Sequence, residues 1–81
     1  MEFDRNDTRV KVVELIAQQL DRKPETVTDQ DTFDSLGADS LDRVEIVMKL
    51  EEHFNIEIDD AEAEKIKSVD ELVNYIHSLR K

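Results

Sequence analysis

Four serine hydroxyls, two imidazoles and many carboxylates are the groups in this chain that could react or bind. The serines are Ser35, Ser40, Ser68 and Ser78. Ser40 is set apart by its neighbours, Leu36-Gly37-Ala38-Asp39-Ser40-Leu41. Gly37 is the only glycine in the chain, so the backbone can take a positive φ there without steric cost. Asp39 is a preferred helix N-cap, and Asp42 falls in the first turn, where negative charge suits the helix dipole. Ser40 is therefore expected at the first helical position, beside N–H groups that have no partner inside the helix. A phosphate carried on its hydroxyl would lie at a natural anion site.

Other chemistries fit less well. A hydrolase nucleophile elbow needs glycine two residues to either side of the serine, and Ala38 and Asp42 occupy those places. The candidate bases, His53 and His77, fall late on expected helices, away from Ser40. Neither has metal-ligand spacing, so both read as surface or half-buried structural residues. Asp29-Gln30-Asp31 has carboxylates at spacing two, but an EF-hand needs a ligand at position 5 and glycine at position 6. Phe33 and Asp34 stand there instead. No specific metal site is expected. The acidic cluster Glu57, Asp59, Asp60, Glu62 and Glu64 would take divalent cations weakly, with the effect of relieving self-repulsion. The chain has no cysteine, which excludes disulfides, thiolate zinc sites and thiol chemistry by the polypeptide itself.

Charge narrows the partners. The net charge is −10, from 21 acidic and 11 basic residues. Nucleic-acid binding needs a basic face, and anionic membranes attract basic segments. Neither is expected here. Basic protein partners, reached with electrostatic steering, are favoured. No apolar run reaches transmembrane length, and Met1-Glu2-Phe3-Asp4 is neither basic nor hydrophobic. The expected location is the cytoplasm, or an organelle matrix after loss of a targeting segment.

Helices must position the serine. At 81 residues the chain suits one domain, 1–81, with a modest core, expected as a monomer. Val13, Ile16 and Leu20 form the stripe of a first helix from near Asp7 to Leu20, flanked by Val10, Val12 and Ala17. Asp21-Arg22-Lys23-Pro24 breaks it. A long connection to Ala38 follows, anchored by Val27, Phe33 and Leu36, with one helical turn possible at Pro24-Glu25-Thr26. The second helix, about Ser40 to His53, has two apolar stripes. Ile46, Val47, Leu50 and Phe54 share the core side; Leu41, Val44 and Met48 lie opposite, among Glu45, Glu51 and Glu52. Starting beside Ser40, the second stripe reads as a docking surface rimmed by carboxylates. Asn55-Ile56-Glu57-Ile58 alternates like a strand but has no strand to pair with, so an extended loop is expected. Asp59-Asp60 caps a short third helix through Lys65, with Ala63 and Ile66 inward. Ser68 and Glu71 form a capping box that opens a fourth helix, whose stripe is Val69, Leu72, Val73, Ile76 and Leu79. Arg80 and Lys81 suit its dipole, and Tyr75 is expected at the core edge. The fold class is all-α.

Asp39-Ser40-Leu41, preceded by Leu36-Gly37-Ala38, resembles the attachment motif of acyl carrier proteins. Val44-Glu45-Ile46-Val47-Met48, Leu50-Glu51-Glu52 and Phe54 continue like that family's second helix. Glu57-Ile58, Glu62-Ala63-Glu64-Lys65-Ile66 and Val69 follow its later pattern. The resemblance runs from about Val12 to Leu79 and includes the long first loop. Two features depart from it: Phe33 and Leu36 are three apart, and Ser35 stands where an acidic residue is common.

The resemblance implies a small four-helix bundle of the acyl-carrier type that is not itself an enzyme. Ser40 would carry a 4′-phosphopantetheine arm, taken from coenzyme A by a phosphopantetheinyl transferase. The arm's thiol would hold growing acyl chains as thioesters for acyltransferases and fatty-acid synthase enzymes. Asp39 and Leu41 would flank the arm. Asp39, Leu41, Asp42, Val44, Glu45, Met48, Glu51 and Glu52 would dock those enzymes. Phe33, Ile46, Leu50, Ile58, Ala63, Ile66 and Leu72 would wall an acyl pocket. The alternatives are a carrier for a polyketide, lipid A or D-alanine pathway, and an acidic helical adaptor with no prosthetic group.

Overall fold

The computed structural model describes residues 4–80 and is all-helical apart from one isolated antiparallel bridge, Thr32 to Ser68. Lys81, expected to complement a helix dipole, and Met1 to Phe3 lie outside the described residues. The helices are α1 (Arg5–Gln19), α2 (Ser40–Phe54), α3 (Asp60–Lys65) and α4 (Val69–Leu79), with a 3₁₀ turn at Pro24–Thr26. Among the described residues no helix is long and apolar enough to cross a membrane.

Each helix starts where a side chain can satisfy its orphan N–H groups. Asp4 accepts from Asn6 N, Asp59 from Ala61 N, and Ser68 from Glu71 N. The expected capping box at Ser68 is only half formed, because Glu71 accepts from Lys67 N at 2.9 Å and not from the N–H of Ser68. Two ends follow the left-handed rule, while α3 and α4 run out into extended backbone at Ile66 and Arg80. Asp21 at φ 54° lets Arg22 N donate to Ala17 O and Asp21 N to Gln18 O, a Schellman end for α1. Asn55 at φ 55° ends α2 the same way, with Ile56 N donating to Glu51 O at 3.2 Å.

The core is the seam of α1 against α4 and α2. Val12, Ile16, Ile46, Leu50, Val73 and Ile76 are all fully enclosed. On α1 the buried face differs from the expected stripe. Thr8 is wholly buried, whereas Val10 is exposed and Leu20 only half-buried. Thr8 can sit inside because its hydroxyl is shared: Arg80 Nη1 donates to it at 2.7 Å and His77 Nδ1 lies 3.0 Å away. The Arg80 guanidinium also stacks on Phe54, 4.8 Å from the ring centroid. His77 is thus a half-buried structural residue, and His53 an exposed one whose ring meets Phe54 edge-on.

The long loop is held by hydrogen bonds as well as by its apolar anchors. Val69 N and Asp70 N, two orphan donors at the start of α4, donate to Asp31 O and Asp29 O. Arg9 pairs with Asp29, and Arg5 with Asp70. Ser35 Oγ donates within reach of Asp31 Oδ1 and Thr32 O and accepts from Thr32 N. Asp31 in turn accepts from Thr28 N at 2.8 Å. That N–H above all, with help from the Ser35 and Thr28 hydroxyls and the Arg22 charge, holds the Asp31 carboxyl below its ordinary range. Val27 and Leu36 are buried and Phe33 half-buried, so all three anchors face inward. The expected extended loop begins only after Asn55, which is left-handed: Ile56 to Asp59 forms neither helix nor strand pairing, with Ile58 buried and Ile56 packed on the core edge.

Candidate functional site

Gly37 aims the chain into α2. A turn closes from Thr32 to Ala38, with Ala38 N donating to Phe33 O and Gly37 N to Asp34 O. Gly37, at φ 78°, reverses its direction. Ala38 is then buried, which fixes the start of the helix, and Asp39 caps it. Asp39 Oδ1 accepts from Asp42 N at 2.8 Å, and Asp42 Oδ2 accepts from Asp39 N at 3.3 Å. This reciprocal box was visible only in part in the sequence, as the Asp-x-x-Asp spacing.

Ser40 stands at the first position of α2 and is exposed. Its hydroxyl makes no hydrogen bond among the described residues. The other three serines are engaged: Ser35 in the loop turn, Ser68 as a cap, and Ser78 on Tyr75 O. Among the described residues no three His, Asp or Glu side chains converge as a metal cage.

Beside Ser40 a cleft of about 470 Å³ opens between α2, the loop and α3. Of the expected acyl walls, Phe33, Ile58, Ala63, Ile66 and Leu72 line it. Ile46 and Leu50 do not, which corrects the expectation. Both are fully enclosed in the core. The 100° step per residue turns them toward α1 while Val44, Val47, Met48 and Glu51 face the cleft. Val47, expected on the core stripe, divides core from cleft.

The expected docking residues separate into two groups. Leu41, Val44 and Met48 are exposed by 66%, 55% and 53%, far more than a core side chain tolerates, and Glu52 is exposed beside them. Asp42, Glu45 and Glu51 are half-buried and have internal tasks. Gln19 Nε2 on α1 donates to Asp42 and Glu45. Glu51 Oε2 accepts from Ile58 N at 3.0 Å, pinning the extended segment to α2. Asp39 is exposed but already committed as the cap.

Comparison with known proteins decides the family. A phosphopantetheine attachment site model matches residues 10–76. The acyl carrier protein of Wolinella succinogenes is 53% identical over 68 residues, 83% of this chain and 90% of that protein. The chain belongs to the acyl carrier protein family. Solved structures agree. The acyl carrier protein of Enterococcus faecalis superposes with TM-score 0.78 at 40% identity, over 95% of this chain and 99% of its own. That of Thermotoga maritima gives TM-score 0.79 at 33% identity, over 93% and 88%.

As an acyl carrier protein the chain takes 4′-phosphopantetheine as its cofactor and carries acyl groups, with fatty-acid synthesis the usual setting. The residues present fit such an arm. A free hydroxyl stands at a helix N-terminus, whose N–H groups and dipole favour a phosphate. The adjoining cleft has the size of an ordinary small-ligand pocket and apolar inner walls. The polypeptide has no thiol, so the sulfur of a thioester must come from the cofactor.

Proposed function

We propose that residues 1–81 act as one carrier domain in which Ser40 bears the phosphopantetheine arm through a phosphodiester. The observation that carries this is the contrast among the serines: Ser40 alone, among those described, is exposed with an unengaged hydroxyl, and it stands on the rim of the cleft. The domain transports and does not catalyse. His77 is committed to Thr8, and His53, near the far end of α2, is about 20 Å along the helix from Ser40. Neither serves as a base for that hydroxyl.

The exposed strip Leu41, Val44 and Met48, with Glu52 beside it, supports docking of a phosphopantetheinyl transferase, acyltransferases and fatty-acid synthase enzymes through basic surfaces. Asp42, Glu45 and Glu51 contribute their charge from positions fixed by their internal bonds. The protein works as a monomer in the cytoplasm, where such enzymes meet it by diffusion. Acyl chains enter the cleft between Phe33, Ile58, Ala63, Ile66 and Leu72. Only part of Ala63 is covered, so α3 is the wall most easily displaced.

Intact mass after incubation with coenzyme A and a transferase tests the attachment. The wild-type chain gains one arm and Ser40→Ala gains none while keeping its thermal melt. Labelling of Ser40→Ala would overturn the assignment.

A further inference from the structure

Arg43 is a cation without an anion in a chain of net charge −10. Among the described residues no carboxylate lies within ion-pair range of it, which it shares with Arg22, Lys23, Lys49 and Lys67; what sets it apart is its place on the cleft. Its guanidinium instead reaches across the cleft beside Ser40. It lies 4.9 Å from the centroid of Phe33 on the loop, and Nη2 donates to Ala63 O on α3 at 3.4 Å. The second contact is at the long limit of a hydrogen bond. The first is a cation–π contact at a half-exposed site, where such contacts are weak. Arg43 therefore ties α2 to both opposite walls, with contacts that a stronger acceptor would displace.

The site for that acceptor is one helical turn away. Ser40 and Arg43 are at i and i+3, neighbours on one face of α2, and both line the cleft. A guanidinium binds a phosphate through charge-assisted, geometrically matched hydrogen bonds, stronger than either contact Arg43 now makes. The other charged groups on the cleft, Glu51, Asp60 and Glu64, repel a phosphate.

We propose that Arg43 is a latch on the cleft that is transferred to the arm's phosphodiester when Ser40 is loaded. In the unloaded protein it holds the loop and α3 together across the cleft. In the loaded protein it pairs with the phosphodiester and releases Phe33 and Ala63, which frees α3 to admit an acyl chain. Arg43 is a positioning residue: loading changes its partner, and the partner change sets how freely the cleft opens. This rests on the Ser40 assignment, and the experiment keeps the two separate.

The test compares ¹⁵N-labelled protein before and after arm attachment, with the product checked by intact mass. The Arg43 Nε–H resonance is expected to shift on loading, and the ring-current displacement of its δ protons by Phe33 to collapse. Arg22 Nε–H, which serves Thr26 elsewhere on the loop, stays in place as the internal control. Melting temperatures at low salt add a second measurement. Loading adds a negative charge, and the wild type is expected to melt at nearly the same temperature loaded or unloaded. Arg43→Gln is expected to melt lower once loaded, with the difference vanishing at high salt. Arg43→Lys, which keeps the charge, is expected to restore the wild-type behaviour. An arm on Ser40 with unmoved Arg43 signals overturns the latch alone. A chain that takes no arm at Ser40 overturns both the latch and the attachment site.

Discussion

Met48 and Leu50 are two residues apart on α2 and have opposite surroundings, so truncating each one separates a docking face from a core. Leu50 is fully enclosed, while Met48 keeps 53% of its surface in water. Leu50→Ala removes a buried side chain and leaves a cavity, which costs ~2–5 kcal/mol. Full burial of a Met side chain is worth ~1.5–3 kcal/mol. With about half of that surface still wet and no closed cavity left behind, Met48→Ala should cost about 1 kcal/mol. The functional order should reverse. Met48→Ala should fold and slow the transferase reaction, since the strip from Leu41 to Met48 is what a partner would cover. Charge gives an independent check, and Glu52 is a better probe than Glu45. Reversing Glu45 would break its bond to Gln19 and confuse docking with stability. Glu52 is exposed and makes no ion pair among the described residues. Glu52→Lys should change stability by no more than about 0.5 kcal/mol. It should lower kcat/KM at low salt, with the loss shrinking as salt screens the steering. Chemical denaturation of the three variants and transferase kinetics on Met48→Ala and Glu52→Lys decide the matter. A Met48→Ala protein as unstable as Leu50→Ala, with unchanged kinetics for Glu52→Lys at low salt, would show the face to be structural.

Three further outcomes follow from the geometry. Gly37→Ala puts a Cβ into open space but at φ 78°, so only the left-handed backbone is penalised and the cost should be ~1–2 kcal/mol by thermal melt; an unchanged melt would mean the turn has another conformation. Thr8→Val keeps the buried volume while removing the oxygen shared by Arg80 and His77, and should cost ~1–2 kcal/mol in urea denaturation. Asp31 has its carboxyl pKa lowered on folding, so its contribution is present above the unfolded value of about 4 and is lost as pH falls through the lower folded value. Asp31→Asn should therefore melt below wild type at pH 7, and the gap should close toward pH 3; a gap independent of pH would remove the charge from the explanation.

The helices could be read from sequence because their signals are local. Asp39, Asp59 and Ser68 cap within their own first turns, and a 3.6-residue period shows wherever apolar residues recur. Thr8 shows what such signals miss. Its partners are 69 and 72 residues away, so nothing near it in sequence marks it as buried, and the apolar Val10 was included in the helix face when it is exposed. Ser35 shows the converse. It replaces a commonly acidic residue, yet a hydroxyl can both donate to Asp31 and accept from Thr32 N, so the loop keeps a compact turn by other bonds.

The site divides along the same line. Ser40 could be found because everything that marks it lies within a few residues: a glycine to turn the chain, an aspartate to cap it, a helix start to receive a phosphate. The cleft could not be outlined so well, because its walls come from the loop, α2 and the chain around α3. A helical wheel separates the faces of α2 but does not say what each face meets. The sequence alone therefore puts Ile46 and Leu50 on the cleft and leaves out Val44, Val47 and Met48. Arg43 is the sharper case. On an acidic helix, with Glu45 and Asp42 beside it, it reads as an ordinary surface cation. Its reach to Phe33 and Ala63 exists only because the loop and α3 close over that face of α2. Two acidic neighbours on α2 are engaged with backbone donors, Asp42 with Asp39 N and Glu51 with Ile58 N, while Asp60 and Glu64 line the cleft without reaching Arg43. Arg43 is left without an anion because its neighbours on α2 bond elsewhere and the carboxylates across the cleft stop short of it. Where those far carboxylates stop is a property of the assembled fold and is absent from any one segment of the sequence.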